Sequence, residues 1–232
     1  MNLREWDEIP KRMRTEEVRE YYDILKKKKY WFKMKRVLDV IIAFIMLVIL
    51  IIPMIIIAIL IKLDSKGPVF FKQERVTQYG KIFKIIKFRT MCDNASQMGT
   101  QVTVDKDKRI TRVGAKLRKY RLDEFPQIFN ILAGEMTFVG TRPEVPKYVK
   151  EYTKPMYATL LLPAGLTSRT SISYKDENKL LTDADDADEM YIREILPAKM
   201  HYNLEEIEKF GFRTDMSVLW DTFVNIFTNG RM

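Results

Sequence analysis

The chain has 232 residues, enough for one ordinary domain with a sizeable core plus a membrane element and a short tail. Its 40 Lys and Arg against 31 Asp and Glu give a formal charge of +9, a surface suited to anions such as nucleic acid, acidic lipid headgroups or phosphorylated small molecules. One cysteine, Cys92, excludes an intrachain disulfide and fits a reducing setting, while one histidine, His201, makes a zinc site or a Ser-His-Asp triad hard to assemble; an enzyme with this sequence must work through carboxylates and cations.

Residues 1–33 form the first unit, a polar and partly helical segment. Glu16, Glu17, Val18, Tyr21, Tyr22 and Leu25 fall at helical spacing, and the segment is expected to lie along a membrane surface. The run Lys26 to Lys29 beside an apolar stretch suits contact with anionic lipid.

The second unit, 34–62, holds the membrane element. From Val40 to Ile61 no residue is charged, and a run of about 22 residues is long enough to cross a ~30 Å hydrocarbon core as a helix. It starts too late, runs too long and lacks the small-residue site of a cleaved signal peptide. Pro53, near its middle, removes a backbone donor and predicts a kink. Lys33, Lys35 and Arg36 precede the run, and Lys62, Lys66, Lys72 and Arg75 follow it, whereas a single span normally carries a one-sided basic bias. Two arrangements stay open on these features: a kinked spanning helix, and a re-entrant hairpin whose ends share the cytoplasmic face.

The third unit, 63–232, mixes strands and helices. Val69-Phe70-Phe71 and Ile82, Phe83, Ile85 and Ile86 read as strands around a turn at Gln78-Tyr79-Gly80. Residues 92–108 read as an irregular, mobile loop. A helix is expected through Ile128, Phe129 and Leu132, another after Leu181, and a last amphipathic one near Met216 to Ile226. The acidic residues Asp183, Asp185, Asp186, Asp188 and Glu189 lack calcium-loop spacing and read as a solvated helix start. No linker divides this unit.

The most informative stretch runs from Leu117 to Gln127. Asp123 suits an N-cap, Glu124 a first helical turn, and Pro126 is tolerated there, so a plain helix start explains the pattern. The same residues also support chemistry. Amides at a helix start, with Arg118 and Arg121, favour an anion, and a carboxylate can attack phosphorus to form an acyl phosphate. Cations or a divalent metal must then neutralise the phosphate oxygens, and Glu124 is the natural ligand for magnesium. Lys84 to Met91, with Lys87 and Arg89, and Gly140 to Glu144, with Arg142, offer further cations in turns.

Several blocks, in order, resemble the bacterial sugar transferases, the monotopic polyprenyl-phosphate phosphoglycosyl transferases. They are Lys35-Arg36-Val37-Leu38-Asp39, Phe71-Lys72-Gln73-Glu74-Arg75, Lys87-Phe88-Arg89-Thr90-Met91, Leu122 to Gln127 with Arg118, and Asn130 through Glu144; the likeness covers roughly residues 33–228. The resemblance implies an α+β, mostly helical fold: a re-entrant membrane helix broken at Pro53, followed by a small membrane-associated catalytic domain. It also implies a ping-pong transfer at the cytoplasmic face of the bacterial inner membrane. Asp123 would take the phosphosugar of a UDP-sugar and release UMP, and polyprenyl phosphate would accept it. Glu124 would hold Mg2+, and Arg118, Arg142, Arg89 and Lys87 would bind substrate phosphates.

The sequence departs from the family pattern at Ile52, where serine is frequent, at Thr77, where glycine is common, and over Pro163 to Arg169. Asn203 stands near a common aspartate. These positions put the sugar in doubt. A membrane-anchored polysaccharide-assembly scaffold is the competing class. A nucleic-acid partner is not expected, since no such motif accompanies the charge. Oligomeric state, a homodimer included, is left open.

Overall fold

The computed structural model describes residues 2–93, 107–174 and 186–229. The fold is α+β and mostly helical, as the resemblance implies. The first long helix, α1 (Glu16–Lys27), is started by Thr15, whose side chain accepts a hydrogen bond from Val18 N at 3.4 Å. Glu16 and Glu17 sit in its first turn and Lys26 and Lys27 in its last, which complements the helix dipole. The helical spacing of Val18, Tyr22 and Leu25 serves the protein's own core: with Leu3, Ile9 and Met13 they pack among Phe32, Leu160, Leu161, Leu196 and Met200.

Helix α2 (Lys29–Asp64) runs for 36 residues with Pro53 inside it, so the helix outreaches the expected 34–62 unit at both ends. One stripe faces the body: Phe32, Lys35, Asp39 and Ala43 before Pro53, and Met54, Ile57 and Ile61 after it, are buried at three- and four-residue steps within each arm. The opposite face exposes Val37, Ile41, Phe44, Val48, Ile52, Ile55, Ile59 and Leu63. At ~1.5 Å per residue the helix exceeds a ~30 Å apolar layer.

Both arms of α2 are bolted to the same body. Before Pro53, Lys35 Nζ donates to Asp215 Oδ2 at 2.7 Å, Arg36 donates to the carbonyls of Ile131 and Leu132 at 2.6 and 2.9 Å, and Asp39 Oδ2 accepts from Thr137 Oγ1 at 2.6 Å. Beyond Pro53, Met54, Ile57 and Ile61 pack on Phe88 and Leu117, and Asp64 Oδ2 accepts from Val113 N at 3.0 Å.

The body begins with an antiparallel hairpin of β1 (Phe70–Val76) and β2 (Ile82–Phe88), pairing Phe70 with Phe88 and Val76 with Ile82, as the sequence predicts. Its turn, Gln78–Gly80, puts both Tyr79 and Gly80 at positive φ. Helix α3 (Arg112–Lys119) is capped by Thr111 and leads through a tight turn to α4 (Gln127–Ala133), the helix expected through Ile128 and Leu132. Strands β3 (Met136–Val139) and β4 (Ala164–Thr167) then pair in parallel, Met136 beside Ala164. Gly165 makes this approach possible, since a Cβ there would stand 2.0 Å from Gly140 O. Helices α5 (Leu196–Glu208) and α6 (Phe212–Asn229) close the chain, α6 starting before the expected Met216. Most of the loop expected at 92–108, and Asp183 and Asp185, lie outside the described residues. Asp186 does open a short helix, its Oδ1 accepting from Asp188 N and Glu189 N at 2.9 and 3.1 Å.

Candidate active site

Between α3 and α4 the chain does not run straight into a helix. Arg121 adopts φ 56, a left-handed conformation unusual for a residue with a Cβ, and Leu122–Glu124 then form a 3-10 turn. Asp123 is therefore not the N-cap of α4. That helix starts at Gln127 with Pro126 in the cap position and no side-chain cap, since the proline ring carries no acceptor, and Pro126 has no N–H with which to extend the helix back to Leu122. The turn sets Asp123 and Glu124 side by side, Asp123 only 7 % exposed.

Three elements bring cations to Glu124. Lys87, at the end of β2, donates from Nζ to Oε1 at 3.0 Å; Arg142, in the turn after β3, donates from Nη2 to the same oxygen at 2.7 Å; Arg121 Nη1 lies 3.8 Å from it. Burial pushes Glu124 up, but Arg142, Lys87 and Arg121 more than offset it and hold the carboxyl well below its ordinary value. Burial pushes Asp123 up as well, helped by the neighbouring Glu124 charge, and here it prevails over the opposing pull of Lys87, Arg118 and Arg121, so this carboxyl lies above its ordinary value. Adjacent carboxylates driven apart in this way are a signature of divided roles, one permanently charged and one tunable.

The expected cations are thus mostly gathered here. Lys87 and Arg142 touch Glu124 directly, and Arg118, at the end of α3, acts on Asp123 through its charge. Arg89 is bound elsewhere: its Nη2 donates to Ser65 O and Oγ at 2.7 and 2.9 Å, at the exit of α2, and among the described residues its buried Nε and Nη1 have no hydrogen-bond partner. Gln127, four residues after Asp123 and 1 % exposed, also buries both its amide atoms with no partner among the described residues.

The supports beneath this cluster leave no local pattern in the sequence. Asn130 is the centre of one: its Oδ1 accepts from Ile86 N at 3.0 Å and its Nδ2 donates to Lys84 O at 2.9 Å and Glu135 Oε2 at 2.7 Å, locking α4 to β2. The buried pairs Lys35 with Asp215 and Glu144 with Lys199 have no local pattern either, because their members lie far apart in sequence. Of these, Lys35, Asn130, Glu135 and Glu144 lie inside blocks that carry the family resemblance, their one visible signal.

Asp123 and Glu124 carry hard carboxylate oxygens, the ligand type that magnesium takes, but Glu124 Oε1 is already bonded by Lys87 and Arg142, and among the described residues no group of three or more acids, histidines or cysteines forms a metal site. A Mg2+ with one or two protein carboxylates completes its shell with substrate phosphates and water.

Residues 30–229 match the family model described as bacterial sugar transferase. The chain belongs to that family. One relative, the UDP-N-acetylgalactosamine-undecaprenyl-phosphate N-acetylgalactosaminephosphotransferase of Aeromonas hydrophila, is 37 % identical over 175 residues, covering 74 % of this chain and 38 % of that protein. The UDP-glucose:undecaprenyl-phosphate glucose-1-phosphate transferase of Klebsiella pneumoniae is 30 % identical over 199 residues, 84 % of this chain and 40 % of its own length. The enzyme of that name from Escherichia coli strain K12 is 29 % identical over 200 residues, with the same coverage of 84 % and 40 %. This sugar transferase chain thus spans less than half the length of these three relatives.

Proposed function

We propose that this sugar transferase moves a sugar-1-phosphate from a UDP-sugar to undecaprenyl phosphate. The observation that carries the reading is the Asp123-Glu124 pair, one carboxyl held ionised by Arg142 and Lys87 and the other buried beside it. In the first half-reaction an Asp123 carboxylate oxygen attacks the sugar-bearing phosphorus. The phosphoanhydride bond breaks, and UMP leaves with the bridging oxygen and its electron pair. In the second, a phosphate oxygen of the lipid attacks the same phosphorus and the Asp123 carboxylate departs, leaving undecaprenyl diphosphate sugar. Lys87, Arg142, Arg118 and Arg121 offset the charge of the phosphates, and Arg89 offers two donors that have no partner among the described residues. Magnesium held by Glu124 would supply charge neutralisation at the diphosphate.

The reaction belongs at the cytoplasmic face of the bacterial inner membrane, where UDP-sugars are made, as the first membrane step of glycan synthesis. The re-entrant form of α2 is supported by its anchoring: groups on both sides of Pro53, from Lys35 to Asp64, bind one body, whereas a spanning helix would carry one arm away from it. Its bare apolar face is suited to lipid tails.

The test is UMP release with undecaprenyl phosphate, Mg2+ and a panel of UDP-sugars that includes glucose and N-acetylgalactosamine, the sugars of the relatives. One donor should leave a phosphosugar mass on Asp123, and Asp123→Asn should abolish both adduct and release. Binding of the donor without turnover, unchanged in Asp123→Asn, is what a scaffold would give and would overturn the proposal.

A further inference from the structure

Arg142 reaches Glu124 from a turn that is held at an unusual number of points. On one side the hold is backbone. Gly140 N donates to Thr167 O at 3.0 Å, Gly165 N to Thr141 O at 2.8 Å, and Val76 N to Glu144 O at 2.9 Å, while Arg75 Nη1 donates to Pro143 O at 3.0 Å. On the other side the hold is a buried side-chain chain that the transfer chemistry does not use. Lys199 Nζ, on α5, donates to Tyr191 Oη at 3.0 Å, and Tyr191 Oη donates to Glu144 Oε1 at 2.7 Å. The ammonium itself stands 3.6 Å from that carboxylate oxygen. Glu144 and Lys199 are 6 % and 5 % exposed.

A buried ion pair of this kind seldom adds net stability over apolar residues of the same size, because desolvating two charges offsets their attraction. What it does supply is direction, since each member accepts few geometries. Glu144 lies two residues from Arg142, in the same turn. The phenol that bridges the pair is itself fixed, its ring 4.5 Å from that of Tyr148, whose Oη donates to Asp188 Oδ1 at 2.5 Å. Tyr191 opens a π-helical turn, Tyr191–Ile195, leading into α5, and such turns re-aim side chains where a regular helix would not.

We infer that Glu144, Tyr191 and Lys199 are positioning residues: α5 acts through them on the turn so that the Arg142 guanidinium is held in place for the donor diphosphate. The inference rests on the phosphosugar transfer proposed above. It extends the site to a helix more than fifty residues away, and it predicts that effects of the chain pass through Arg142 alone. Conserving the two charges at Glu144 and Lys199 without the bridge is insufficient, because 3.6 Å leaves the carboxylate without a close, directed donor.

A double-mutant cycle tests this. Tyr191→Phe removes one hydroxyl and keeps the ring against Tyr148, a smaller change to the buried core than Lys199→Met. In the wild-type background, Tyr191→Phe should lower kcat/KM for the UDP-sugar by roughly 10-fold, within the ~10–100-fold typical of residues that orient a binding group. In an Arg142→Ala background the same change should have no further effect, since no guanidinium remains to be positioned. Lys199→Arg should restore more activity than Lys199→Met. UDP affinity, measured by calorimetry on the same four proteins, should follow the same non-additive pattern. Equal losses in both backgrounds, or less than a twofold loss from Tyr191→Phe in wild type, reduce the network to a structural element and overturn the inference. A wild-type protein that neither turns over nor binds any UDP-sugar defeats the transfer itself, a different outcome from additivity in an active enzyme.

Discussion

Lys35 and Asp215 are separated by 180 residues, and their Nζ and Oδ2 atoms meet at 2.7 Å in the interior, the side chains 5 % and 7 % exposed. The bond ties the start of α2 to the first turn of α6. Removing one partner of a buried pair leaves the other charge uncompensated, at a typical cost of about 3–5 kcal/mol. Lys35→Met and Asp215→Asn should each lower the unfolding midpoint strongly, and the double substitution should lower it less than either. The pH dependence has a defined sign. Burial raises the Asp215 carboxyl, against the pull of Lys35, so the fold tolerates the protonated form better than the charged one. In Lys35→Met that pull is gone, and the loss of stability should be smallest near the ordinary aspartate value of ~3.9 and grow as pH rises above it. Denaturant melts across pH would refute the assignment if the loss were greatest at acid pH.

The Asp123-Glu124 pair makes a second prediction, about rate. In the proposed transfer Asp123 attacks as its carboxylate, and burial raises that carboxyl above the ordinary range while Lys87, Arg118 and Arg121 oppose the rise. The acidic limb of the kcat/KM profile should therefore lie above ~3.9, and Lys87→Met should move it to higher pH still. Glu124 has the opposite sign. Its depressed value means that its stabilising contribution is complete above the ordinary glutamate value and is lost only as pH falls below it. A limb that stays in place in Lys87→Met would assign it to some other group.

How far the sequence disclosed this arrangement depends on the range of the interaction involved. The β1–β2 hairpin and α4 were legible because their signals are local: alternating apolar residues around Tyr79-Gly80, and a short apolar run closed by Gly134, which takes φ 80. The turn carrying Asp123 was legible in composition but not in shape, since Pro126 postpones the helix and no local pattern announces a left-handed Arg121. Thr77 illustrates the other limit. Its departure from glycine reads as a question about substrate, yet its hydroxyl donates to Glu135 O at 2.7 Å and accepts from Ala164 N at 3.1 Å, a bolt between β3 and β4. Contacts of that kind are made by residues 58 and 87 positions away, and nothing in the local sequence encodes them.

Magnesium provides a third expectation. Four cations, Lys87, Arg118, Arg121 and Arg142, act on two carboxylates, and Glu124 Oε1 is already shared by Lys87 and Arg142. A divalent ion arriving alone meets like charge and an occupied ligand, whereas a diphosphate draws the cations away and brings oxygens of its own. Mg2+ alone should therefore leave the thermal midpoint unchanged, and UDP with Mg2+ should raise it more than UDP with a chelator. Lys87→Met, which frees one bond to Glu124, should let Mg2+ stabilise the protein by itself. Full stabilisation of the wild type by the metal without nucleotide would contradict this order of binding.

The final prediction concerns the segment ahead of the family match, which begins at residue 30. Leu3, Ile9, Met13, Val18, Tyr22 and Leu25 are all buried, and Arg4 lies 4.6 Å from the ring centroid of Tyr79 while its amide donates to the Tyr79 hydroxyl at 2.8 Å. The strap thereby covers the β1–β2 turn and the helical turn Pro155–Leu161 without touching Asp123 or Glu124 through any described hydrogen bond or ion pair. Its role is cohesion, so its loss should appear in stability and not in chemistry. Leu25→Ala, which empties a fully buried site, should cost about 2–5 kcal/mol. Met13→Ala should fall in the same range, while kcat/KM per folded molecule stays at the wild-type value below the shifted melting point. Calorimetric melts paired with UMP release at 20 °C or so would separate the two effects, an assay temperature of about that value keeping a marginal variant folded. A rate loss in Leu25→Ala at a temperature where its circular dichroism is native would mean that the strap reaches the active site, and the division drawn between cohesion and catalysis would have to be abandoned.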